Sequence, residues 1–421
     1  MWQKIKQELK QGKTLITFSF LQATGQILAM VVPLVVAKFF SPELFGSYSL
    51  AKMVVIFFAT LLISSSQTPF IVFAGKERSK SGKINRAFSV QCIFLAASLC
   101  AFAVTVVLFN KQIIAFAGIN RGDLAFVLAA FVGLGLKIFI CNLFMAMGQR
   151  IKCSIAELLF GALMLSFVSV LYLTDAIGIR TLFLTYLVSS LLVVLIFVKT
   201  IDFDQLLPLG ADKSHFKEMF HFTKWVMLGT TAVYFTNWGD NLVLRLYVSM
   251  GDIGTYNLAY QVFKGMIALS LIIYVYFLPF VSQHIHDRTK MRDYLYRKRP
   301  RIFLLGCLVI AVSLVIGPNI IRAIYGNTYA SSSAILRILL VAVVPMLHVV
   351  LYAPILNALK KYRVTQTVTT LQVAVNVILN LVLVPKMGLT GAAVATVVAY
   401  CFQSVIIEIY FRLRLKKLLE L

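Results

Sequence analysis

Twelve apolar stretches of roughly 20 residues, separated by short loops, fill almost the whole chain. Each is long enough to cross a bilayer core of ~30 Å at ~1.5 Å rise per helical residue. The spans run over 14–37, 49–73, 87–109, 124–147, 154–174, 179–199, 224–248, 255–281, 301–323, 334–357, 363–384 and 388–411. The pattern predicts an all-α polytopic membrane protein with twelve transmembrane helices. Its chemistry must then lie in the polar groups placed inside the membrane.

Charge sets the orientation. Apolar residues make up 60% of the chain and charged ones 13%, against ~25% charged in soluble domains. The formal net charge of +24 would suggest nucleic acid in a soluble protein, but the positive-inside rule accounts for it here. Of the 40 basic residues, 29 fall at the two ends of the chain and in alternate loops, and 8 on the opposite side. Both termini are therefore expected in the cytoplasm, with the chain multi-pass in the cytoplasmic (inner) membrane and no nucleic acid as partner. The Lys-rich N-terminus runs straight into a full-length span, so no cleavable signal is expected. Trp2, Ile5 and Leu9 share one face of a short helix suited to the inner interface. The six cysteines have no Cys-x-x-Cys spacing and read as small apolar packing residues.

The chain is written twice. Phe45-Gly46-Ser47-Tyr48-Ser49-Leu50-Ala51 returns 208 residues later as Ile253-Gly254-Thr255-Tyr256-Asn257-Leu258-Ala259. Ile113–Gly118 aligns with Ile321–Gly326 at the same offset, and Gly178-Ile179 with Gly388-Leu389 at 210. Six spans separate the copies, an even number, so both copies have one orientation. That is a parallel internal repeat about an axis along the membrane normal, which puts a substrate path between the halves. The expected domains are an N-lobe over 1–200, a cytoplasmic linker over 201–223 and a C-lobe over 224–421. Prolines 33, 69, 279, 345 and 354 punctuate the spans, where each removes a backbone donor and can kink a helix.

Ionisable groups at membrane depth cost ~2.5–3.5 kcal/mol on insertion scales and usually face a cavity or a partner. Lys137 lies halfway along the fourth span. Lys264 sits in the eighth with Tyr256, Tyr260 and Gln261 on its face, where a lysine beside phenol rings suits a phosphate and a sugar; a helix-packing stripe fits the same pattern. Lys52 enters the second span and either snorkels or serves a cavity. Arg245 closes the seventh span and suits bidentate phosphate contact or a pairing with Asp240. Gln22 and Gln26, with Ser19, share a face of the first span that can line a cavity, as can Ser64–Thr68 in the second. Asp240 is the one carboxylate well inside a C-lobe span, while Gln372, Asn376 and Asn380 repeat at i+4 in the eleventh. One carboxylate with amide oxygens suits a hard cation such as Na⁺, or a proton; an amide ladder that glues helices is the alternative. Glu157 reads as interfacial and His348 as a hydrogen-bonded packing residue. No Gly-rich phosphate loop is present, so ATP does not drive the protein directly, and no other cofactor is expected.

The segments Leu44-Phe45-Gly46-Ser47-Tyr48, Gly251-Asp252-Ile253-Gly254-Thr255-Tyr256, Tyr325-Gly326-Asn327-Thr328-Tyr329 and Asn376-Val377-Ile378-Leu379-Asn380 carry a family resemblance. So do Val384-Pro385 and Gly388-Leu389-Thr390-Gly391-Ala392-Ala393. Together they resemble the Wzx-type flippases of the multidrug/oligosaccharidyl-lipid/polysaccharide (MOP) exporter superfamily. The resemblance implies two six-helix lobes forming a V around a central cavity. It also implies movement of undecaprenyl-pyrophosphate-linked oligosaccharide, such as an O-antigen unit, from the inner to the outer leaflet. Polysaccharide polymerase and chain-length machinery would be partners, and the protein would not be an enzyme. The same resemblance supports bringing spans 7, 11 and 12 together, with Thr396 a further oxygen beside Asp240. Two rivals stay open: a multidrug/cation antiporter of the superfamily, whose cavity should favour acids, and a membrane glycan polymerase or ligase, which should carry a large outer loop.

Overall fold

The computed structural model describes residues 2–210 and 212–415, with side chains from residue 17 onward except at 19, 271, 275, 362 and 415. The proposed interfacial face of Trp2, Ile5 and Leu9, and Ser19, therefore lie outside the described side chains. Every described element is helical. Among the described residues nine segments are long and apolar enough to cross a membrane. Two of these have length for two crossings, Arg288–Ala358 with 71 residues and Arg363–Arg414 with 52.

The helices group into two compact units, Met1–Phe39 with Ser47–Tyr234, and Phe40–Gly46 with Phe235–Leu421. In chain order they are α1 (Trp2–Phe39), α2 (Pro42–Phe58), α3 (Gln67–Ser81), α4 (Asn85–Leu108), α5 (Asn110–Ala117), α6 (Leu124–Ala146), α7 (Arg150–Leu173) and α8 (Ile179–Val198). There follow α9 (Lys213–Tyr247), α10 (Met250–His284), α11 (Arg288–Asp293), α12 (Arg299–Tyr325), α13 (Ala330–Ala358) and α14 (Tyr362–Tyr410).

In the first unit, α1 packs on α7 and α6 on α8. Apolar solvent gives helices little reason to associate by burial alone, so close approach at small residues has to supply the attraction. A Cβ on Gly133 would lie 2.6 Å from the Leu187 nitrogen, and one on Gly25 2.9 Å from the Leu158 nitrogen. Phe102 and Phe131 stack at 4.1 Å in the core beside these crossings. Between α2 and α3 the helix passes through a π turn at Ala59–Ile63 and a 3₁₀ turn at Ser64–Ser66. The Ser66 hydroxyl donates to the Ile63 carbonyl at 2.8 Å and accepts from Gln91 Nε2 at 2.9 Å. Ser65 and Ser66 are fully buried and bond within this helix irregularity, whereas Ser64, Gln67 and Thr68 keep exposed surface.

The linker is held down. Ile84 N–H donates to the Gln205 carbonyl at 2.9 Å, Asn85 Nδ2 to Pro208 O at 2.8 Å, and Gly210 N–H to the Ser89 hydroxyl at 3.0 Å. Residues 205–210 are thus strapped across the start of α4.

In the second unit, α13 lies between α10, α12 and α14. Its core at one end joins Tyr294, Tyr352, Ile355, Ile407 and Phe411. Pro279, Pro318, Pro345, Pro354 and Pro385 all lie inside helices. Only past Pro385 does the backbone leave helical geometry, at Gly388 with φ 56° and ψ −132°, a left-handed region that a Cβ disfavours. The break separates the two apolar stretches of α14.

The sequence repeat has a structural signature inside this second unit. A Cβ on Gly46 would collide with the Met250 carbonyl oxygen, and one on Gly254 with the Pro42 carbonyl oxygen. The two positions lie 3.1 Å and 2.9 Å from the other's backbone nitrogen. At the offset of 208, position 42 meets 254, the counterpart of 46, and position 46 meets 250, the counterpart of 42. Backbone meets backbone here, so no side-chain rotation relieves a substitution. Gly254→Val should sharply lower the yield of monodisperse membrane protein by size-exclusion chromatography, since even ordinary over-packing costs ~1–3 kcal/mol. Gly75→Ala, with nothing within 4 Å of its Cβ position, should leave the profile unchanged.

Candidate functional site: a buried carboxylate and two aromatic-flanked lysines

The carboxylate site lies wholly within the second unit. Asp240 is 6% exposed on α9. Its Oδ1 accepts from Asn380 Nδ2 at 2.8 Å, and its Oδ2 accepts from Tyr256 Oη at 2.6 Å and Thr396 Oγ1 at 2.9 Å. Asn376 Nδ2 reaches Thr396 Oγ1 at 3.4 Å. The i+4 repeat puts Asn376 and Asn380 on one face of α14, and the break at Gly388 turns the chain so that Thr396 meets the same carboxylate.

The sequence thus anticipated this grouping except for Tyr256, which it placed with the Lys264 face. Among the described residues no lysine or arginine pairs with Asp240, and no three His, Cys, Asp or Glu side chains cluster. Asn380 Oδ1 is buried and accepts no hydrogen bond. A carboxylate, two hydroxyls and an amide oxygen with a free lone pair form the donor set a hard cation takes; they fit Na⁺, or a proton on Asp240. Buried acceptors without partners are costly, so the orphaned Asn380 oxygen is the detail that fits a further bound species.

Lys264 stands next to this site. Its ammonium lies 4.3 Å from the Trp238 ring centroid and 4.8 Å from that of Tyr260. Tyr260 in turn stacks on Tyr256 at 5.7 Å, and its hydroxyl donates to the Thr236 carbonyl at 3.4 Å. Cation–π attraction of ~0.5–2 kcal/mol holds the ammonium against the two rings. Trp238 was not singled out from the sequence; its spacing two residues before Asp240 was the available signal. Gln261 is buried beside Tyr260, and Arg245 is half-buried one turn from the end of α9.

The first unit carries the repeat's answer. At the offsets of 208 and 210 read from the sequence, Tyr48 corresponds to Tyr256, Lys52 to Tyr260 and Tyr186 to Thr396. Tyr48 and Tyr186 share a hydroxyl hydrogen bond of 3.1 Å, and Lys52 Nζ lies 5.9 Å and 6.0 Å from their rings. Where one copy holds a carboxylate, the other presents a lysine to aromatic rings. Lys137 is different: it pairs with Glu157 at 2.5 Å across α6 and α7, with the Phe160 ring at 5.6 Å. Glu157, expected at the interface, is the partner of that lysine. Gln22 Oε1 accepts from Ser154 Oγ at 3.1 Å in the α1–α7 contact, while Gln26 is exposed.

One polar network escaped the sequence reading. Glu408 accepts from Tyr352 Oη at 2.5 Å and Arg412 Nε at 2.8 Å. Arg299 Nη2 contacts His348 Nε2 at 2.8 Å, and Ser404 Oγ lies 2.8 Å from Nδ1. His348 is thus a fully bonded packing residue, as the sequence suggested, but within a charged cluster whose members are distant in the chain.

A family model described as "Polysaccharide biosynthesis protein" matches residues 35–334. Among curated proteins of Haloferax volcanii, a probable low-salt glycan biosynthesis flippase, Agl15, is 23% identical over 45% of this chain and 41% of its own length. A probable flippase from the same organism, AglR, is 25% identical over 60% and 53%. The chain spans about half the length of the curated relatives it matches. Among solved structures, an inward-facing multidrug resistance MATE family transporter of the MOP superfamily superposes with a TM-score of 0.79, 12% identity and coverage of 94% and 95%. The lipid II flippase MurJ in an inward closed conformation gives 0.75, 17%, 94% and 87%. With a family model over most of its length and this fold along nearly all of it, the chain belongs to the polysaccharide biosynthesis protein family and has the fold of the MOP-superfamily transporters.

Proposed function

We propose that this protein moves a polyprenyl-pyrophosphate-linked glycan from the cytoplasmic to the outer leaflet of the inner membrane by alternating access, with undecaprenyl as the lipid. The observation that carries the reading is Lys264 held between the Trp238 and Tyr260 rings at membrane depth. A lysine ammonium offers charge to a phosphate, and flat aromatic faces beside it suit sugar rings. The similarity to Agl15, a probable glycan biosynthesis flippase, and to AglR, a probable flippase, supports the same reading. Lys52, with the Tyr48 and Tyr186 rings, and Arg245 supply further positive charge for the headgroup. Lys137 serves there only if Glu157 releases it.

The energy has two sources in this reading. An anion leaving a negative-inside cell gains ~2.3 kcal/mol per charge per 100 mV. Asp240, with Asn376, Asn380 and Thr396, binds Na⁺ or H⁺ and links the cation gradient to reorientation of the empty carrier. A cation-drug antiporter, by contrast, needs acids where this chain carries lysines.

The test is reconstitution with polyprenyl-pyrophosphate-linked oligosaccharide and detection of glycan at the opposite leaflet. Lys264→Ala should slow transfer at least ~10-fold, the worth of one charge-assisted contact of ~1.5–3 kcal/mol. Lys264→Arg should keep part of the rate, since charge survives while headgroup geometry changes. Wild-type protein that expels a cationic dye yet moves no lipid-linked glycan would overturn the proposal.

A further inference from the structure

Away from the helices' polar interiors, the first unit carries a cavity of about 480 Å³ at the α3–α4 turn. It lies on the face that the basic-residue asymmetry assigns to the cytoplasm. Gly82, at φ 71°, ends α3 and folds the chain back, so that Lys76 and Lys80 from α3 and Lys83 and Arg86 from the turn and α4 line one cavity. His215, at the start of α9, completes the wall and meets the Phe73 ring edge-on at 5.7 Å.

Basic loops on this side are already required by topology. Topology does not require them to line a concavity, as they do here. Glu77, the acid nearest the lysines, spends its carboxylate on backbone, accepting from the Arg86 and Ala87 N–H groups at 3.0 Å each. Glu218 lies on the α9 side of the opening. Among the described residues neither Lys76, Lys80, Lys83 nor Arg86 forms an ion pair with any carboxylate. Lys83 Nζ instead donates to the Leu207 carbonyl at 3.3 Å, adding to the strap that fixes the turn. The turn is therefore held in place by backbone and strap contacts, and the Glu77 carboxylate is engaged by backbone N–H groups. On α9, past His215 and Glu218, Trp225 is exposed, and tryptophan favours the headgroup level of a bilayer.

We propose that this cavity is a binding site for a phosphate group, supplied by the headgroup of an anionic membrane lipid or by a soluble phosphate compound. The inference is independent of which glycan the protein moves. Lysines near a membrane surface attract anionic lipid by an amount that adds over the charges. Three of them lining one cavity should hold a single headgroup in place, where the same charges on a convex loop would only enrich a diffuse layer.

The full chain is titrated by native mass spectrometry with phosphatidylglycerol, phosphatidylcholine and inorganic pyrophosphate. Lys76→Gln/Lys80→Gln/Arg86→Gln removes three charges from the cavity, and Lys360→Gln/Lys361→Gln/Arg363→Gln removes three from another basic loop. The cavity variant should bind the phosphate ligand at least ~10-fold more weakly than wild type, and the control within about twofold. Tight phosphatidylglycerol binding with weak pyrophosphate binding assigns a lipid headgroup; the reverse assigns a soluble phosphate. If the cavity variant does not reach the membrane, the single reversal Lys80→Glu is compared with Lys360→Glu in the same way. Equal losses in the cavity and control variants, or no preference for either phosphate over phosphatidylcholine, would overturn the proposal and leave the basic residues a topological signal.

Discussion

Asp240→Asn should leave the protein folded in the membrane and abolish the response of transport to an imposed Na⁺ or H⁺ gradient. Asparagine keeps the shape and one carbonyl oxygen, so the hydrogen bond from Asn380 Nδ2 at 2.8 Å survives. The two hydroxyl donors, Tyr256 at 2.6 Å and Thr396 at 2.9 Å, lose a charged acceptor but can rotate toward other oxygens. What disappears is the one negative charge in the pocket. A carrier whose empty state holds an uncompensated buried charge reorients more easily once a cation neutralises it, because cation binding and reorientation are then linked equilibria. The amide is neutral from the start, so the variant behaves as permanently occupied. Flipping in proteoliposomes with and without gradients checks this, with protein level as the control. Asn376→Ala should be milder, shifting the cation concentration needed, because Asn376 reaches Asp240 only through Thr396. A variant Asp240→Asn that follows both gradients as wild type does would make the carboxylate a packing group.

Much of this site was legible because membrane interiors punish stray polarity. A single carboxylate and an i+4 ladder of amides stand out against apolar sequence, and the chain break at Gly388 was flagged by the repeat itself. Glycine at 46 and 254 was legible for the same reason: the repeat marked both, and the reciprocal backbone crossing explains why neither carries a side chain. The reading stopped where helices choose partners. Tyr256, Tyr260 and Lys264 lie one turn apart and look like one stripe. The stripe meets one helix, α9, at two different side chains, however: Tyr256 turns to Asp240 while Lys264 turns to Trp238. Glu157 looked interfacial by position alone, since nothing in a single sequence says which lysine on another helix lies opposite. Arg299, His348 and Glu408 meet from three helices, and no local pattern joins them.

Lys137 decides between charge for the cargo and charge for the fold. With Lys137 17% and Glu157 19% exposed, removing the lysine alone strands a carboxylate inside the membrane. Breaking such a pair typically costs ~3–5 kcal/mol, whereas removing both partners is often close to neutral. Lys137→Ala should therefore lower the thermal midpoint in detergent strongly, and Lys137→Ala/Glu157→Ala should recover most of it. The exchange Lys137→Glu/Glu157→Lys should also recover stability, since the pair re-forms with its ends reversed. Transport is then read in the two stable double variants, where loss of protein no longer masks loss of function. If both flip the glycan at the wild-type rate, the pair is a structural clamp between α6 and α7, and the headgroup charge comes from Lys264, Lys52 and Arg245. If both are stable yet inactive, Lys137 must part from Glu157 to meet the pyrophosphate, and the ion pair is the resting state of a transport residue. A single Lys137→Ala as stable as wild type would remove the premise, since an ion pair that can be halved without cost is not buried in any energetic sense.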